Sequence, residues 1–359
     1  MITYYGLGAG KRLNEIVIAG SHDAGITSGG ANVQTQNVDI AGQAVAGVRL
    51  FDLRIAGKAM MLTSPQHTGK VMSLTAFHAD GVLMDNKTKT RHVPAVGRDA
   101  EVVMTKLRGG AFGEGLTTML RQARQFVIDQ PEEFLILKFD KCTNWMLIAE
   151  SCVLKLGDDI IYKGRGNLNM KKLSDLKRKV IVLFTAKGIE AVQATYGPGS
   201  GILGIKNLGS EGATYDHNYD GMQYYGKGGT SVTKPFKKLS QNQEKQAQLM
   251  KKGGDGNPFA MGMMYWTSTG IFESIEKRDD SAWTGTKATA LQSTWKNGLE
   301  EAITSRLTNN INPALYSSAG ALKTFMPNIV MIDFSDDRKC KTIRELNEVA
   351  ATALVQAGL

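Results

Sequence analysis

Cysteine is scarce in this sequence, and its positions exclude two common ways of holding a fold together. The 359 residues contain three cysteines, at Cys142, Cys152 and Cys340. An odd and sparse set predicts no disulfide framework, and none of the three has the spacing of zinc ligands. The fold must therefore rest on a hydrophobic core, and 42% of the residues are hydrophobic, enough to build one.

Long apolar runs and an excess of acidic residues are also missing. No stretch of about 18 uninterrupted apolar residues occurs, so no transmembrane helix is expected. Residues 1–11 lack a long apolar segment after a basic stretch, so no secretory signal is expected. Lysine and arginine outnumber aspartate and glutamate by 43 to 34, for a net charge of +9. This balance favours anionic partners such as membrane surfaces, phosphorylated substrates or nucleic acid, although a solvated basic surface without a partner fits it equally well.

Short apolar segments of strand length recur along the chain, and most end in polar residues or glycine. They cover residues 15–19, 48–55, 74–77, 134–139, 180–185, 202–205, 259–265 and 328–334. Helical patterns fall between many of them, at residues 99–108, 116–129, 144–156, 239–252, 293–307 and 342–355. Strands that alternate with helices predict an α/β fold with a parallel sheet, and eight strands predict a closed TIM-type (β/α) barrel.

A barrel of this type accounts for only part of the length. About 250 residues are typical, so roughly 100 must lie in insertions. The insertions are expected near 57–90 and near 209–256, where glycine and polar residues are frequent. No internal repeat and no dividing linker is visible, so we expect residues 1–359 to form a single domain.

Polar residues follow the ends of four predicted strands. They are His22, Arg54, His78 and Asp333. In a parallel barrel the carboxyl ends of the strands form the mouth, where catalytic residues lie. Asp52 shares a face with Arg54 by the two-residue period of a strand, and such charges are costly inside a barrel unless they serve a site at its rim. Because the first and eighth strands of a closed barrel are neighbours, Asp333 should reach His22.

This set of side chains suits the cleavage of a phosphodiester. One histidine can remove a proton from an attacking hydroxyl while the other protonates the leaving oxygen. A guanidinium can bind two phosphate oxygens, and a carboxylate behind a histidine fixes its tautomer and raises its basicity. A single histidine at a strand end would be read as an ordinary packed residue. Four such groups at one rim favour a catalytic site.

Several segments resemble the X-domain of the phosphatidylinositol-specific phospholipase C family, in its bacterial type. The most specific are residues 18–23 (IAGSHD) and 47–54 (GVRLFDLR), followed by His78; residues 130–137, 178–184 and 329–334 also fit. The resemblance covers most of the barrel but not the insertions. It implies a distorted (β/α) barrel that cleaves an inositol phospholipid to diacylglycerol and a cyclic inositol phosphate.

The resemblance also implies roles for individual residues. His22 matches the general base that activates the inositol 2-hydroxyl, and Asp333 matches its partner. His78 matches the general acid, with Asp23 beside it. Arg54 stands where metal-free members carry an arginine, so no cofactor is expected.

Other positions leave alternatives open. Asp140 falls where calcium-dependent members carry a metal ligand, so calcium is the alternative cofactor and Asp140 its candidate ligand; in a register shifted by two, Lys138 takes this place. Candidate substrate-binding residues are Asp52, Lys138, Tyr265 and Trp266. The two aromatic residues fit a sugar pocket and a barrel core equally well.

The expected partners are a phospholipid substrate and a peripheral membrane surface, without nucleic acid, and the protein is expected to be a monomer. The resemblance suggests secretion or delivery to membranes; otherwise the protein would be cytoplasmic. The segment 227–252 is a candidate docking loop, with Tyr224, Tyr225 and Phe236 as apolar wedges, unless it is a solvated loop. Two other functions remain open: a phosphodiesterase acting on another phospholipid or a glycerophosphodiester, and an inactive lipid-binding or toxin module.

Overall fold

The strands form where valine, isoleucine, leucine and phenylalanine are concentrated. The computed structural model describes residues 1–79, 83–227, 259–267, 274–283 and 327–356. The strands are β1 Ile18–Ser21, β2 Val48–Leu53, β3 Ile55–Thr63, β4 Thr68–His78, β5 Leu83–Val93, β6 Arg98–Arg108, β7 Ala111–Gly115, β8 Phe134–Phe139, β9 Lys179–Thr185, β10 Ile202–Asn207, β11 Gly221–Lys227, β12 Met261–Trp266 and β13 Ile329–Ile332. The helices are Ile40–Ala46, Leu116–Asp129, Trp145–Leu156, Leu173–Leu176, Ala186–Val192, Leu208–Glu211, Ile275–Trp283 and Asp337–Gln356.

Eight of these strands close into a barrel. Its order is β1-β2-β8-β9-β10-β11-β12-β13, and every pairing is parallel, including the closing pair β1–β13. The predicted α/β fold with a TIM-type (β/α) barrel is therefore confirmed. The closure brings the first and last strands together, with Ile18 beside Ile329 and Ser21 beside Ile332. Residues that follow β1 and β13 consequently meet at the same part of the mouth.

Alternation along each strand separates two hydrophobic cores. On β2, Leu50 packs in the barrel interior with Ile136 of β8, whereas Phe51 faces outward into the core under the helices. Methionines fill much of the interior on β12 and β13. Gly20 on β1 is required by this packing, because a side chain there would overlap the sulfur of Met331. Polar residues on the inward faces therefore lie at the strand ends, where the interior opens.

A second sheet is inserted between β2 and the helix Leu116–Asp129. Its five strands have the order β3-β6-β5-β4-β7, with an additional pairing between β3 and β4. This arrangement corrects two sequence predictions. Residues 74–77 belong to β4 of this sheet and not to the barrel. Residues 99–108, predicted as a helix, form β6, because their backbone pairs with β5 from Arg108–Leu83 to Arg98–Val93.

The sixth barrel strand, β11, lies where the sequence predicted an insertion. Gly221 begins this strand with φ +148°, and its α-carbon lies against the backbone of Gly204 on β10. Only glycine allows so close an approach between the two strands. Residues 221–227 therefore belong to the barrel, which corrects the part of the predicted insertion near 209–256 that falls on them.

The other predictions have mixed outcomes. The helices predicted at 116–129, 144–156 and 342–355 are confirmed. Those predicted at 239–252 and 293–307 lie outside the described residues, as do most of the predicted insertion near 209–256 and Phe236 of the proposed docking loop. The single-domain organisation stays a prediction. Within the described ranges, none of the helices combines the length and apolar character needed to span a bilayer.

Candidate active site

The four predicted polar residues meet at the mouth, but they reach it by two routes. His22, Arg54 and Asp333 directly follow barrel strands β1, β2 and β13. His78 instead ends β4 of the inserted sheet. The hairpin β3–β4 leaves the barrel just after Arg54 and returns at His78, and the backbone N–H of Phe77 donates to the carbonyl of Arg54 at 3.0 Å. The inserted sheet therefore holds the second histidine next to the arginine.

His22 is hydrogen-bonded to the carboxylate at the end of the last strand. Its Nδ1 lies 2.9 Å from Oδ1 of Asp333, which is the contact that the barrel closure predicted. Its ring is 12% exposed, and its Nε2 lies 3.4 Å from Nη2 of Arg54. Burial would lower the pKa of His22, but the neighbouring carboxylates of Asp23 and Asp333 raise it to about 9. The proton is thus held more tightly than on an ordinary histidine.

Asp23 connects the second histidine to the arginine. Its Oδ2 lies 2.6 Å from Nδ1 of His78, and its Oδ1 lies 2.8 Å from Nε of Arg54. The residue is buried, and its φ of +44° is unusual for a residue other than glycine. Burial would raise the pKa of Asp23, but Arg54 and the histidines hold it well below its ordinary value. Asp23 is therefore an ionised carboxylate that orients His78 and Arg54 together.

Arg54 contacts one histidine directly and is joined to the other through Asp23. Its Nη2 is 3.4 Å from Nε2 of His22, while its Nε is paired with Asp23. The guanidinium is 13% exposed, so part of it can contact a bound molecule. Guanidinium groups bind phosphate through two parallel hydrogen bonds. The guanidinium can therefore bind a phosphate beside His22, and Asp23 holds His78 near the same site.

A buried ion pair forms the floor beneath these groups. Asp52 and Lys138 are neighbours across β2 and β8, and Nζ of Lys138 lies 2.7 Å from Oδ1 of Asp52. Asp140 lies 3.5 Å from the same ammonium. Burial would lower the pKa of Lys138, but Asp52 and its other neighbours hold it well above the ordinary value. The pair offers both hydrogen-bond donors and acceptors to the hydroxyl groups of a substrate.

The two aromatic candidates on β12 have opposite positions. Tyr265 faces the mouth, where its ring meets that of His22 edge to face with centroids 6.1 Å apart. Trp266 is the next residue, so it points to the other face of the strand. It is buried in the core under the helices, and its predicted place in the substrate pocket is wrong.

Tyr224 on β11 is a pocket residue that the sequence did not predict. It is buried in the barrel interior with Met222, two residues earlier on the same face, so it is not the exposed wedge that was expected. It also interacts electrostatically with both Lys138 and Tyr265. The two-residue period from Met222 would have placed it correctly, had residues 221–227 been recognised as a strand.

The groups at the mouth do not fit a calcium ion. In the described part of the chain, the donor atoms of His22, Asp23 and Asp52 lie close enough together to share a metal. Calcium prefers six to eight oxygen ligands, whereas this set has one imidazole and two carboxylates. Both carboxylates are already paired with cations, Asp23 with Arg54 and Asp52 with Lys138. Asp140, the predicted alternative ligand, is not part of the set.

A buried lysine supports the Asp333 segment from behind. The ammonium of Lys339 donates to the carbonyl oxygens of Asp333 and Phe334, at 3.3 and 2.6 Å, and pairs with Asp279. Phe334 has a φ of +45°. Such a turn needs support, and Lys339 provides it. Sequence patterns do not predict this contact, because lysine is rarely buried.

Comparison with known proteins finds solved structures that have the same fold at low sequence identity. No family model matches the sequence, and no curated protein matches it. A solved structure of the phosphatidylinositol-specific phospholipase C of Staphylococcus aureus is 16% identical, with a TM-score of 0.52 over 94% of this chain and 95% of that one. The corresponding enzyme of Listeria monocytogenes is 14% identical, with a TM-score of 0.45 over 94% and 95%. The chain thus shares the barrel fold of the Staphylococcus aureus phosphatidylinositol-specific phospholipase C.

Proposed function

We propose that this chain is a metal-independent phosphodiesterase that cleaves phosphatidylinositol or a related inositol phospholipid to diacylglycerol and a cyclic inositol phosphate. One observation carries the proposal. Two imidazoles lie at one mouth, each with its Nδ1 on a buried carboxylate, and the guanidinium of Arg54 contacts His22 and pairs with the carboxylate that holds His78. The shared barrel fold is consistent with this activity, and the donors and acceptors of Asp52, Lys138 and Tyr265 suit a polyhydroxylated headgroup.

In this mechanism His22 is the general base. In the neutral imidazole, Nδ1–H of His22 donates a hydrogen bond to Asp333, and the unprotonated Nε2 takes the proton of the inositol 2-hydroxyl. The hydroxyl oxygen attacks the phosphorus of its own headgroup, and this intramolecular attack has the advantage of proximity. Arg54 binds the phosphate oxygens and stabilises the charge that develops on them.

His78 is the general acid. Its Nδ1 proton is held by Asp23, and its Nε2 proton passes to the diacylglycerol oxygen as the bond from that oxygen to phosphorus breaks. The cycle leaves His22 protonated and His78 neutral, and exchange of protons with water restores both. Arg54 and Asp23 keep their charges throughout, so no metal is needed to balance the transition state.

Turnover of phosphatidylinositol in detergent micelles, with a strong chelator present, tests the proposal. His22→Ala and His78→Ala should each lower turnover by at least about 100-fold, because a general acid or base contributes about 10²–10⁴-fold. His92→Ala is the matched control, since His92 lies in the inserted sheet and pairs with Asp99. Near-normal turnover by either folded mouth variant, or an equal loss in the control, would refute the two-histidine mechanism.

A further inference from the structure

A basic groove lies in the inserted sheet, outside the site described above. It has a volume of about 930 Å³ and is bounded by strands β3, β5 and β6 and by the turn into β7. The sheet contains two long hairpins, β3–β4 and β5–β6, which are joined through the residue pairs Gly57–Met104 and Val71–His92. The groove is therefore built by the sheet that also delivers His78.

The charge of the groove is strongly one-sided. Its cations are Lys58, Lys70, Lys87, Lys89, Arg91 and Lys106. Asp85 is the one carboxylate among its described lining residues, and it lies 3.7 Å from the ammonium of Lys87. Alternate residues of a strand share a face, so Lys87, Lys89 and Arg91 form a row along β5. Such a row attracts an extended anionic surface more than a single small anion.

Two methionines lie at the same groove and are exposed. Met60 is 42% and Met61 is 62% exposed, both on β3. Their flexible apolar side chains can enter the boundary between lipid headgroups and acyl chains. Basic residues beside exposed apolar side chains are the combination that binds anionic membranes.

The groove adjoins the mouth of the barrel. Its lining includes Gly110 and Ala111. Ala111 pairs with His78 across β7 and β4, and the α-carbon of Gly110 lies against the carbonyl of His78. A surface that occupies the groove would therefore lie beside the general acid of the proposed reaction.

We propose that this groove docks the protein on an anionic bilayer, with its lysines and Arg91 on the lipid headgroups and Met60 and Met61 at the acyl boundary. The role of this docking rests on the proposed function, because docking here would present a lipid phosphodiester to the mouth. It assigns the membrane contact to β3, β5 and β6, whereas the sequence analysis named the segment 227–252 as a candidate docking loop with a solvated loop as the alternative.

Vesicle co-sedimentation without any substrate lipid tests the groove by itself. The probes are vesicles of phosphatidylcholine alone and of phosphatidylcholine with phosphatidylglycerol, at about 50 mM and about 500 mM salt. The wild type should bind the anionic vesicles at low salt and lose most of this binding at high salt. Each lysine near an anionic surface contributes roughly fivefold to binding. Replacing Lys70, Lys87, Lys89 and Lys106 with glutamine should therefore weaken it by more than tenfold.

The matched control removes the same number of charges at the other end of the barrel. Lys163, Arg165, Lys172 and Arg178 lie before β9, are exposed, and should tolerate replacement by glutamine with less than a twofold change in binding. Met60→Ser with Met61→Ser should weaken binding by several-fold even if the lysine variant fails to fold.

Three outcomes would overturn the proposal: absence of wild-type binding to anionic vesicles, equal losses in the groove and control variants, or tight binding of a DNA duplex without binding to vesicles. Since no substrate is present, failure of the proposed catalysis would leave these results unchanged. Conversely, absence of docking with normal turnover in micelles would remove this inference and leave the proposed function in place.

Discussion

The two histidines at the mouth differ in the number of carboxylates around them. His22 has Asp333 at 2.9 Å and Asp23 at 3.6 Å, and these anions raise its pKa to about 9. A base must be neutral to accept a proton. At neutral pH most of the free protein would hold His22 protonated, so the reactive form is a minority whose share rises with pH.

This protonation predicts the pH profile of catalysis. In the wild type, kcat/KM should rise with pH up to about 9, the pKa of His22 in the free protein. Asp333→Asn removes one anion, so the rise should shift to lower pH, while the maximum rate falls because the imidazole is no longer oriented. A pH series on both proteins checks this. An unshifted rise in Asp333→Asn would show that Asp333 does not act through His22.

Arg54 can be tested against a residue of the same charge. Arg54→Lys keeps the charge but loses the planar fork that pairs with Asp23 while facing a phosphate. We expect turnover in chelator to fall at least about tenfold, since bound phosphate loses parallel hydrogen bonds. Full activity of Arg54→Lys, or loss of wild-type activity in chelator with recovery in calcium, would contradict a guanidinium-based, metal-independent site.

At this scale the sequence predicts which polar residues meet at the mouth, and it misses some of their contacts. His22, Arg54, His78 and Asp333 follow apolar segments. The closed barrel brings together the strand ends of His22, Arg54 and Asp333, whereas the inserted sheet brings His78. The pairing of Asp52 with Lys138 depends on the register between β2 and β8, which no local pattern contains. Alternation decides between Tyr265 and Trp266 only once the inward face of β12 is known.

Among the elements, the turn after β13 depends on the helix that follows it. Lys339 lies on the helix Asp337–Gln356 and donates to the carbonyls of Asp333 and Phe334. It also pairs with Asp279 of the helix Ile275–Trp283. Burial is the main cause that raises the pKa of Asp279 to about 7. One ammonium thus joins two helices to the strand end that carries the partner of His22.

Lys339→Met tests this positioning role. Loss of a buried partner costs about 3–5 kcal/mol, so the unfolding temperature should fall. A purely structural role would leave the pH profile unchanged, whereas a positioning role predicts that the rise of kcat/KM shifts to lower pH as the Asp333–His22 contact loosens. Lys341→Met on the same helix is the control, because Lys341 is 73% exposed. An unshifted profile in a folded Lys339→Met protein would reject the role.

The elements that the sequence predicts wrongly share a physical cause. Residues 74–77 form a short apolar strand, and a short run looks the same in a barrel as in an added sheet. Residues 98–108 have apolar side chains at helix-compatible spacing, but pairing with β5 fixes them as a strand. Residues 221–227 contain glycine because β11 packs against the backbone of β10. In each case tertiary contacts override the local pattern.

In the whole molecule, the barrel and the inserted sheet supply different parts of the candidate site. The barrel fixes His22, Arg54 and Asp333 through its closure, and the sheet adds His78 and the basic groove. Six basic residues line this groove, and its Ala111 pairs with His78 at the mouth. A phospholipid substrate would meet its docking surface and its catalytic groups on one side of the protein.

Phosphorus NMR of the products from phosphatidylinositol is the measurement that tests the central claim most directly. The wild type is incubated with phosphatidylinositol micelles in a strong chelator, and His22→Ala is the control. We predict the signal of a cyclic inositol phosphate as the first water-soluble product, absent with His22→Ala over the same period. A first product that is phosphatidic acid, glycerophosphoinositol or an acyclic inositol phosphate, or no product at all from the folded wild type, would contradict the account.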